Sequence, residues 1–224
     1  VALVAVALIA VGVAVVGGLS AFAQPRKDKK TRLKDVNRAM SKVTRLSVPS
    51  PMEAQLAPDC AALQPLWTSK PYSCLEFLRH HWELSPLLSE PGAAWLSPLL
   101  SLANVTTMVR MWPFRFMEPH AAAVMLVPGS NFQLDARWAR GTDVPDDVVT
   151  VAVREQRVLA LHNLELYWPP IAKFCQRVGR YFHAAVQANL YVLPAGLDVA
   201  LAPHADSHST FVLQMHGAAQ WAVH

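Results

Sequence analysis

Asn189-Leu-Tyr191-Val-Leu-Pro-Ala-Gly-Leu-Asp-Val-Ala-Leu-Ala-Pro203-His204-Ala-Asp206 is the stretch on which the reading of this 224-residue chain turns. Its end carries a His-x-Asp pair. On a β-strand, side chains two apart point the same way. His204 and Asp206 would then aim an imidazole and a carboxylate at one point. Those are two of the three ligands of the 2-His-1-carboxylate triad, which holds non-haem Fe(II) and leaves positions open for substrate and O2. By itself the tripeptide is also what a loop histidine beside a capping aspartate looks like. Upstream, Asn189 and Tyr191 are two apart on an expected strand, Val186 to Leu193, and share a face.

The flanking residues weight the metal reading. After the pair come Ser207-His-Ser-Thr210, then Phe211-Val-Leu-Gln-Met215, then His216-Gly217-Ala-Ala-Gln-Trp221. The order Pro-His-x-Asp, polar turn, Phe-Val-Leu-Gln, Gly, Trp resembles the JmjC-type cupin oxygenases. The ribosomal oxygenase branch, which consists of protein histidyl hydroxylases, is the most similar. Leu161-His-Asn-Leu-Glu-Leu-Tyr167-Trp-Pro-Pro170 is similar to the segment before the Asn-x-Tyr strand of that family. Phe77-Leu-Arg-His-His-Trp82-Glu-Leu-Ser-Pro86-Leu87 is similar to its opening helix. The resemblance runs from about Ser73 to His224 and is loose between Gly92 and Asp147.

The resemblance implies a double-stranded β-helix (cupin/JmjC barrel), mainly β with N-terminal helices, an α+β chain. It implies Fe(II) held by His204 and Asp206, and 2-oxoglutarate bound by Asn189 and Tyr191. A second metal-binding His is expected from a later strand, so the chain is expected to be a fragment that stops before it. His208, His216 and His224 are the only later histidines, and none is nominated. One position departs from the pattern. Where the family has Lys or Arg between the Gly and the Trp, this chain has Ala219. A dicarboxylate without its cation loses a charge-assisted hydrogen bond, worth roughly 1.5–3 kcal/mol. Either another residue such as Gln220 substitutes, or the cosubstrate binds weakly.

Further out, residues 1–23 carry no charge and are long enough to span a bilayer as a helix. Ala21-Phe-Ala23 also has the small-x-small form of a signal cleavage site. A retained anchor is the preferred expectation. Residues 26–45 hold nine Lys or Arg against two Asp, a net charge of +7, whereas the whole chain is +4, leaving −3 for the rest. The basic character therefore belongs to this segment. It suits an anionic membrane surface and the cytosolic side of a membrane, a solvated linker being the bland alternative. Direct nucleic-acid binding is not expected, because no aromatics interleave with the charges. Residues 46–72 are Pro-rich and read as a tether. The expected division is therefore 1–23 anchor or signal, 24–72 linker, 73–224 oxygenase domain.

The chain is 53% hydrophobic and 16% charged, enough for a large core and too apolar for disorder. Cys60, Cys74 and Cys175 lack metal-ligand spacing, and the odd count suggests reduced, mostly buried thiols. Asn104-Val-Thr106 is an N-glycosylation sequon, meaningful only in a lumen. The spacing of Leu75, Leu78 and Trp82 predicts a helix ended by Pro86. His80 and His81, adjacent on that helix, diverge and read as surface residues. Short strands and turns are expected over 105–127. A turn over 143–147 should lead into a helix and then a short strand within 148–161. Ile171, Phe174, Val178, Phe182 and Val186 predict a helix that starts at Trp168-Pro-Pro170.

Together these readings give a membrane-tethered, 2-oxoglutarate-dependent dioxygenase that hydroxylates a protein, with a ribosomal protein as the implied substrate and a homodimer left open. Two alternatives stand beside it. One is a non-catalytic cupin module that binds a protein and has lost 2-oxoglutarate, and the other is a lysine demethylase of the same fold.

Overall fold

The computed structural model describes residues 5–14 (as backbone), 60, 63–67, 74–89, 93–117, 122–130, 132–206 and 208–223. The basic segment 26–45 and most of the Pro-rich stretch lie outside them. In chain order the elements are strand β1 (Ala5–Ala14), a 3-10 turn (Gln64–Trp67), and helices α1 (Cys74–His80), α2 (Ala93–Leu96) and α3 (Leu102–Met111). Strands β2 (Arg115–Phe116) and β3 (Ala122–Leu126) follow, then α4 (Val148–Arg154), β4 (Val158–Leu161) and a second 3-10 turn (Leu164–Leu166). The chain continues through α5 (Pro169–Phe182), β5 (Ala185–Pro194) and β6 (Ser209–His216).

The strands form a six-stranded sheet in the order β2-β3-β4-β5-β1-β6. Only β2 and β3 pair in parallel; the other neighbours are antiparallel. A mixed sheet with a few helices is thus what the described residues form, and they do not close it into a barrel.

β1 overturns the expected N-terminal membrane helix. Its backbone pairs along its whole length with β5, from Ala5 opposite Pro194 to Ala14 opposite Ala185, and on its other edge with β6. A central strand reads as an unbroken apolar run, as a membrane helix does. The β-branched Val and Ile in Ala-Val-Ala-Leu-Ile-Ala-Val-Gly-Val-Ala favour the strand. Among the described residues no helix is long and apolar enough to cross a membrane. Membrane anchoring, and the localisation built on it, are therefore withdrawn.

Strand alternation sorts the sheet into two faces. Ala123 and Met125, Leu159 and Leu161, and Ala188, Leu190 and Val192 pack against the helices in the main core. Helix α5 lays Ile171, Phe174, Cys175 and Val178 on that face, the 3–4 residue period read in the sequence. Pro169 and Pro170 start it, where missing N–H groups cost nothing. It ends at His183 in the left-handed region, φ 50°. Phe77 of α1 and Trp82 just beyond it stack near Phe182 and Phe211, which pins α1 to the end of α5 and to β6.

Two local expectations change. Residues 102–111 form a helix where short strands were expected. Ser101 caps it: the Asn104 N–H donates to Ser101 Oγ (3.2 Å), and the Ser101 N–H donates to Asn104 Oδ1 (2.9 Å). The cysteines are not all reduced either, since Cys60 and Cys74 form a disulfide. That bond holds the segment carrying the buried Leu63 and Leu66 against α1. Cys175 remains a buried free thiol, pushed up to about 12 by burial.

Candidate cosubstrate and metal face

The face of the sheet turned away from the helices carries the nominated residues. Opposite partners in the register share a face, so Tyr191 lies across from Ala160, and Leu193 from the row of Val158. At one end, Leu126, Val158 and Leu193 form a small apolar cluster. Tyr191, Leu197, Ala200, Leu201 and Ala219 pack around it. Ala219, the position where the resembling family carries a cation, thus sits beside the same cluster as Tyr191.

Tyr191 is half-buried. Burial first, and then the charge of Asp206, push its phenol above the ordinary tyrosine value. His204 and Asp206 do not stand on a strand. They lie in the exposed connection between β5 and β6. The His204 ring places Nδ1 2.9 Å from the Ala202 carbonyl and meets Phe132 edge-on at 4.7 Å. Asp206 Oδ2 accepts from Thr210 Oγ1 at 3.3 Å. The strand argument that paired them does not apply. What joins them is a short loop over one face, with Nε2 of His204 left as its outer nitrogen.

At the other end of the face is a polar group that the sequence reading did not single out. Asn189 Oδ1 faces three donors: His162 Nδ1 at 3.2 Å, the Asn163 backbone N–H at 3.3 Å and Gln187 Nε2 at 3.3 Å. Gln187 Nε2 also donates to Asn163 Oδ1 at 2.8 Å. Asn163 takes φ 59°, ψ 41°, a left-handed conformation that Asn tolerates better than most residues. That bend lets the chain leave β4 and still present its N–H to β5. Glu165 Oε2 accepts the Ala188 N–H (2.9 Å), which β4 is too short to pair. Burial holds the His162 imidazole below its ordinary value, against the contrary pull of its bond to Asn189.

Among the described residues no group of three or more His, Cys, Asp or Glu could hold a metal ion. His208 and His216 are exposed, and His224 lies outside the described residues.

Residues 161–224 match the JmjC domain. That match takes in β5, β6, the His204–Asp206 loop and the His162 group. Over those residues the chain is similar to JmjC domains, and relatives named as ribosomal oxygenases or histidyl-hydroxylases match it more widely. It is 24% identical over 159 residues to the bifunctional lysine-specific demethylase and histidyl-hydroxylase NO66 of Aedes aegypti, covering 70% of this chain and 24% of that protein. It is 27% identical over 159 residues to ribosomal oxygenase 1 of Gallus gallus, covering 70% and 26%. Over 64 residues it is 33% identical to the NO66 protein of Dictyostelium discoideum. The chain spans about a quarter of the length of the first two relatives.

JmjC oxygenases use Fe(II) and 2-oxoglutarate. The donors here fit that pair in kind. An imidazole and a carboxylate share one loop, and nitrogen and oxygen ligands suit Fe(II). A phenol and a carboxamide on the adjacent strand suit an oxo acid.

Proposed function

We propose that this chain contributes the cosubstrate-binding sheet and two metal ligands of a Fe(II)- and 2-oxoglutarate-dependent oxygenase that hydroxylates a protein side chain. The carrying observation is convergence. Asn189 and Tyr191 share the face turned away from the helices, and the Asp206 charge is felt at Tyr191. In this reading His204 and Asp206 hold iron, and Asn189 and Tyr191 orient the oxo acid. With iron and 2-oxoglutarate bound, O2 would be the oxidant, one oxygen atom entering the protein side chain as hydroxyl and the other the succinate that forms with CO2 from the oxo acid. The chain's own residues position the cosubstrate and keep one side of it dry through Leu126, Val158 and Leu193. A ribosomal protein is the substrate class suggested by the names of the relatives. Those names also carry lysine demethylation, which uses the same iron chemistry.

A non-catalytic protein-binding module is favoured by one specific feature: Ala219 packs an apolar methyl where a cation would be needed.

An anaerobic titration with Fe(II) and 2-oxoglutarate separates the two. An oxygenase site gives the weak visible charge-transfer band of the chelate, abolished in His204→Ala. A protein that folds and shows no band at saturating cosubstrate is the binding module.

A further inference from the structure

Phe132 carries two features that folding alone does not ask for. Its backbone lies in the left-handed region, φ 54°, which glycine or asparagine occupies at much lower cost than a phenylalanine. Its ring is 37% exposed, so the side chain returns little through burial. A bulky residue held in a costly conformation marks a place where the surroundings dictate the geometry. What the ring meets is the His204 imidazole, edge-on, with centroids 4.7 Å apart and planes at 85°.

The turn that presents Phe132 is tied down at both ends. It leaves β3 at Leu126, which lies in the apolar cluster with Val158 and Leu193. Leu126 bridges Leu134, and the Val127 N–H donates to the Gln133 carbonyl at 3.0 Å. Between them, Ser130 Oγ donates to the Val127 carbonyl and accepts from the Gln133 N–H. The Phe132 N–H donates to the Ser130 carbonyl at 2.9 Å. The same turn meets the β5–β6 connection at a second point, where the Gly129 N–H donates to the Ala200 carbonyl at 3.3 Å. One turn anchored in the sheet therefore holds that connection at Ala200 and at His204.

We infer that Phe132 is a positioning residue for His204, fixing the plane of the imidazole so that its outer nitrogen is aimed before a metal arrives. The inference rests on the oxygenase reading, in which His204 holds iron. Phe132 lies in the stretch where the family resemblance is loose, so the resemblance assigns it no role. With Nδ1 2.9 Å from the Ala202 carbonyl, Nδ1 carries the proton and Nε2 keeps the lone pair that a metal takes. That bond sets the tautomer. An exposed histidine held by it alone still has side-chain freedom to lose on binding. The phenyl ring restricts that freedom in advance, which lowers the entropy cost of ligation. The left-handed backbone at Phe132 is what turns its ring toward the loop.

Co(II) titration of the full chain, followed by its visible d–d bands, tests this, with urea unfolding of each metal-free variant alongside. Phe132→Leu should weaken Co(II) binding about tenfold, the lower end of what losing a supporting contact costs a metal site. Phe132→Tyr keeps the ring and should bind as the wild type does. Phe132→Gly should weaken binding at least as much as Phe132→Leu without lowering the urea midpoint, since relief of the left-handed strain offsets the extra freedom of glycine in the unfolded chain. A purely structural Phe132 gives the reverse pattern, a lower midpoint with unchanged Co(II) affinity, and that result overturns the inference. His204→Ala tests the reading beneath it. If that variant loses Co(II) binding while the Phe132 variants bind normally, the positioning role falls and the metal reading stands. Binding that survives His204→Ala, or no binding by the wild type, overturns both.

Discussion

At the scale of single residues, the strongest electrostatic arrangement lies away from the candidate site. Asp135, 7% exposed, is the buried acid of the described core. Its Oδ2 accepts from Arg137 Nη2 at 2.5 Å and from Arg157 Nε at 2.7 Å. The bond from Arg137 foremost, then that from Arg157, holds its carboxyl well below the usual carboxylate range, against the opposing effect of burial. A depressed carboxylate contributes stability that is present above its unfolded value of about 3.9 and is lost as pH falls below it. Acid unfolding of the wild type should therefore steepen below about pH 4. Asp135→Asn should lower stability at pH 7 by about 2 kcal/mol, since a charged hydrogen-bond acceptor is removed while solvent screens the half-exposed Arg137. It should also lessen the acid sensitivity. Urea unfolding of both proteins at pH 7 and pH 3 checks this, and an unchanged pH difference in the variant would refute it. Residue-scale function was only half legible in the sequence. His-x-Asp and Asn-x-Tyr are short-range spacings that can be seen in one line of text. His162 carries no such local signal, because its partner Asn189 is 27 positions away. Only the β4–β5 register brings the two together.

At the scale of elements, amphipathic period and proline placement predicted α5 well, whereas α3 was missed. Its Val-Thr-Thr-Met-Val run is β-branched, and its cap is Ser-x-x-Asn, outside the usual Ser-x-x-Glu/Gln signature. β1 failed for a different reason. An apolar run without alternation does not distinguish a membrane helix from a central strand, and the pairing partners that decide it are in the last forty residues or so of the chain. The junction of α5 with β5 offers an element-scale test. The Ala184 N–H donates back to the Gly179 carbonyl at 3.1 Å as the chain turns into the strand. A Cβ on Gly179 would come within 2.9 Å of the Ala184 carbonyl oxygen, which is backbone and cannot swing aside. Helix propensity alone would favour Ala here by about 1 kcal/mol. The clash should outweigh it, with overpacking costing about 1–3 kcal/mol. Gly179→Ala should therefore destabilise in urea, and a stabilised variant would mean the turn can open without loss.

At the scale of the whole molecule, the question is what ties the segment before α1 to a sheet whose strands come from both ends of the described chain. The Cys60–Cys74 bond is the covalent answer, closing a loop of sequence separation 14. Leu63 and Leu66 lie within that loop and are buried in the main core, so the Pro-rich stretch is not slack throughout. The Tyr181 hydroxyl donates to the Cys74 carbonyl at 3.3 Å and carries the tie on to α5. A cross-link of this span restricts the unfolded chain by roughly 3 kcal/mol in the loop-entropy account. Reduction should therefore lower the unfolding free energy measured in urea by about 3 kcal/mol, and the midpoint with it. Cys60→Ser should lower it equally and lose any further response to reductant. Cys175 gives an internal control, because its buried thiol, raised to about 12, should label with maleimide only on unfolding. Native protein should then gain label at the half-buried Cys60 on reduction, and at the buried Cys74 and Cys175 only in denaturant. Equal midpoints with and without reductant would show that burial of Leu63 and Leu66, with no help from the bond, holds this segment in place.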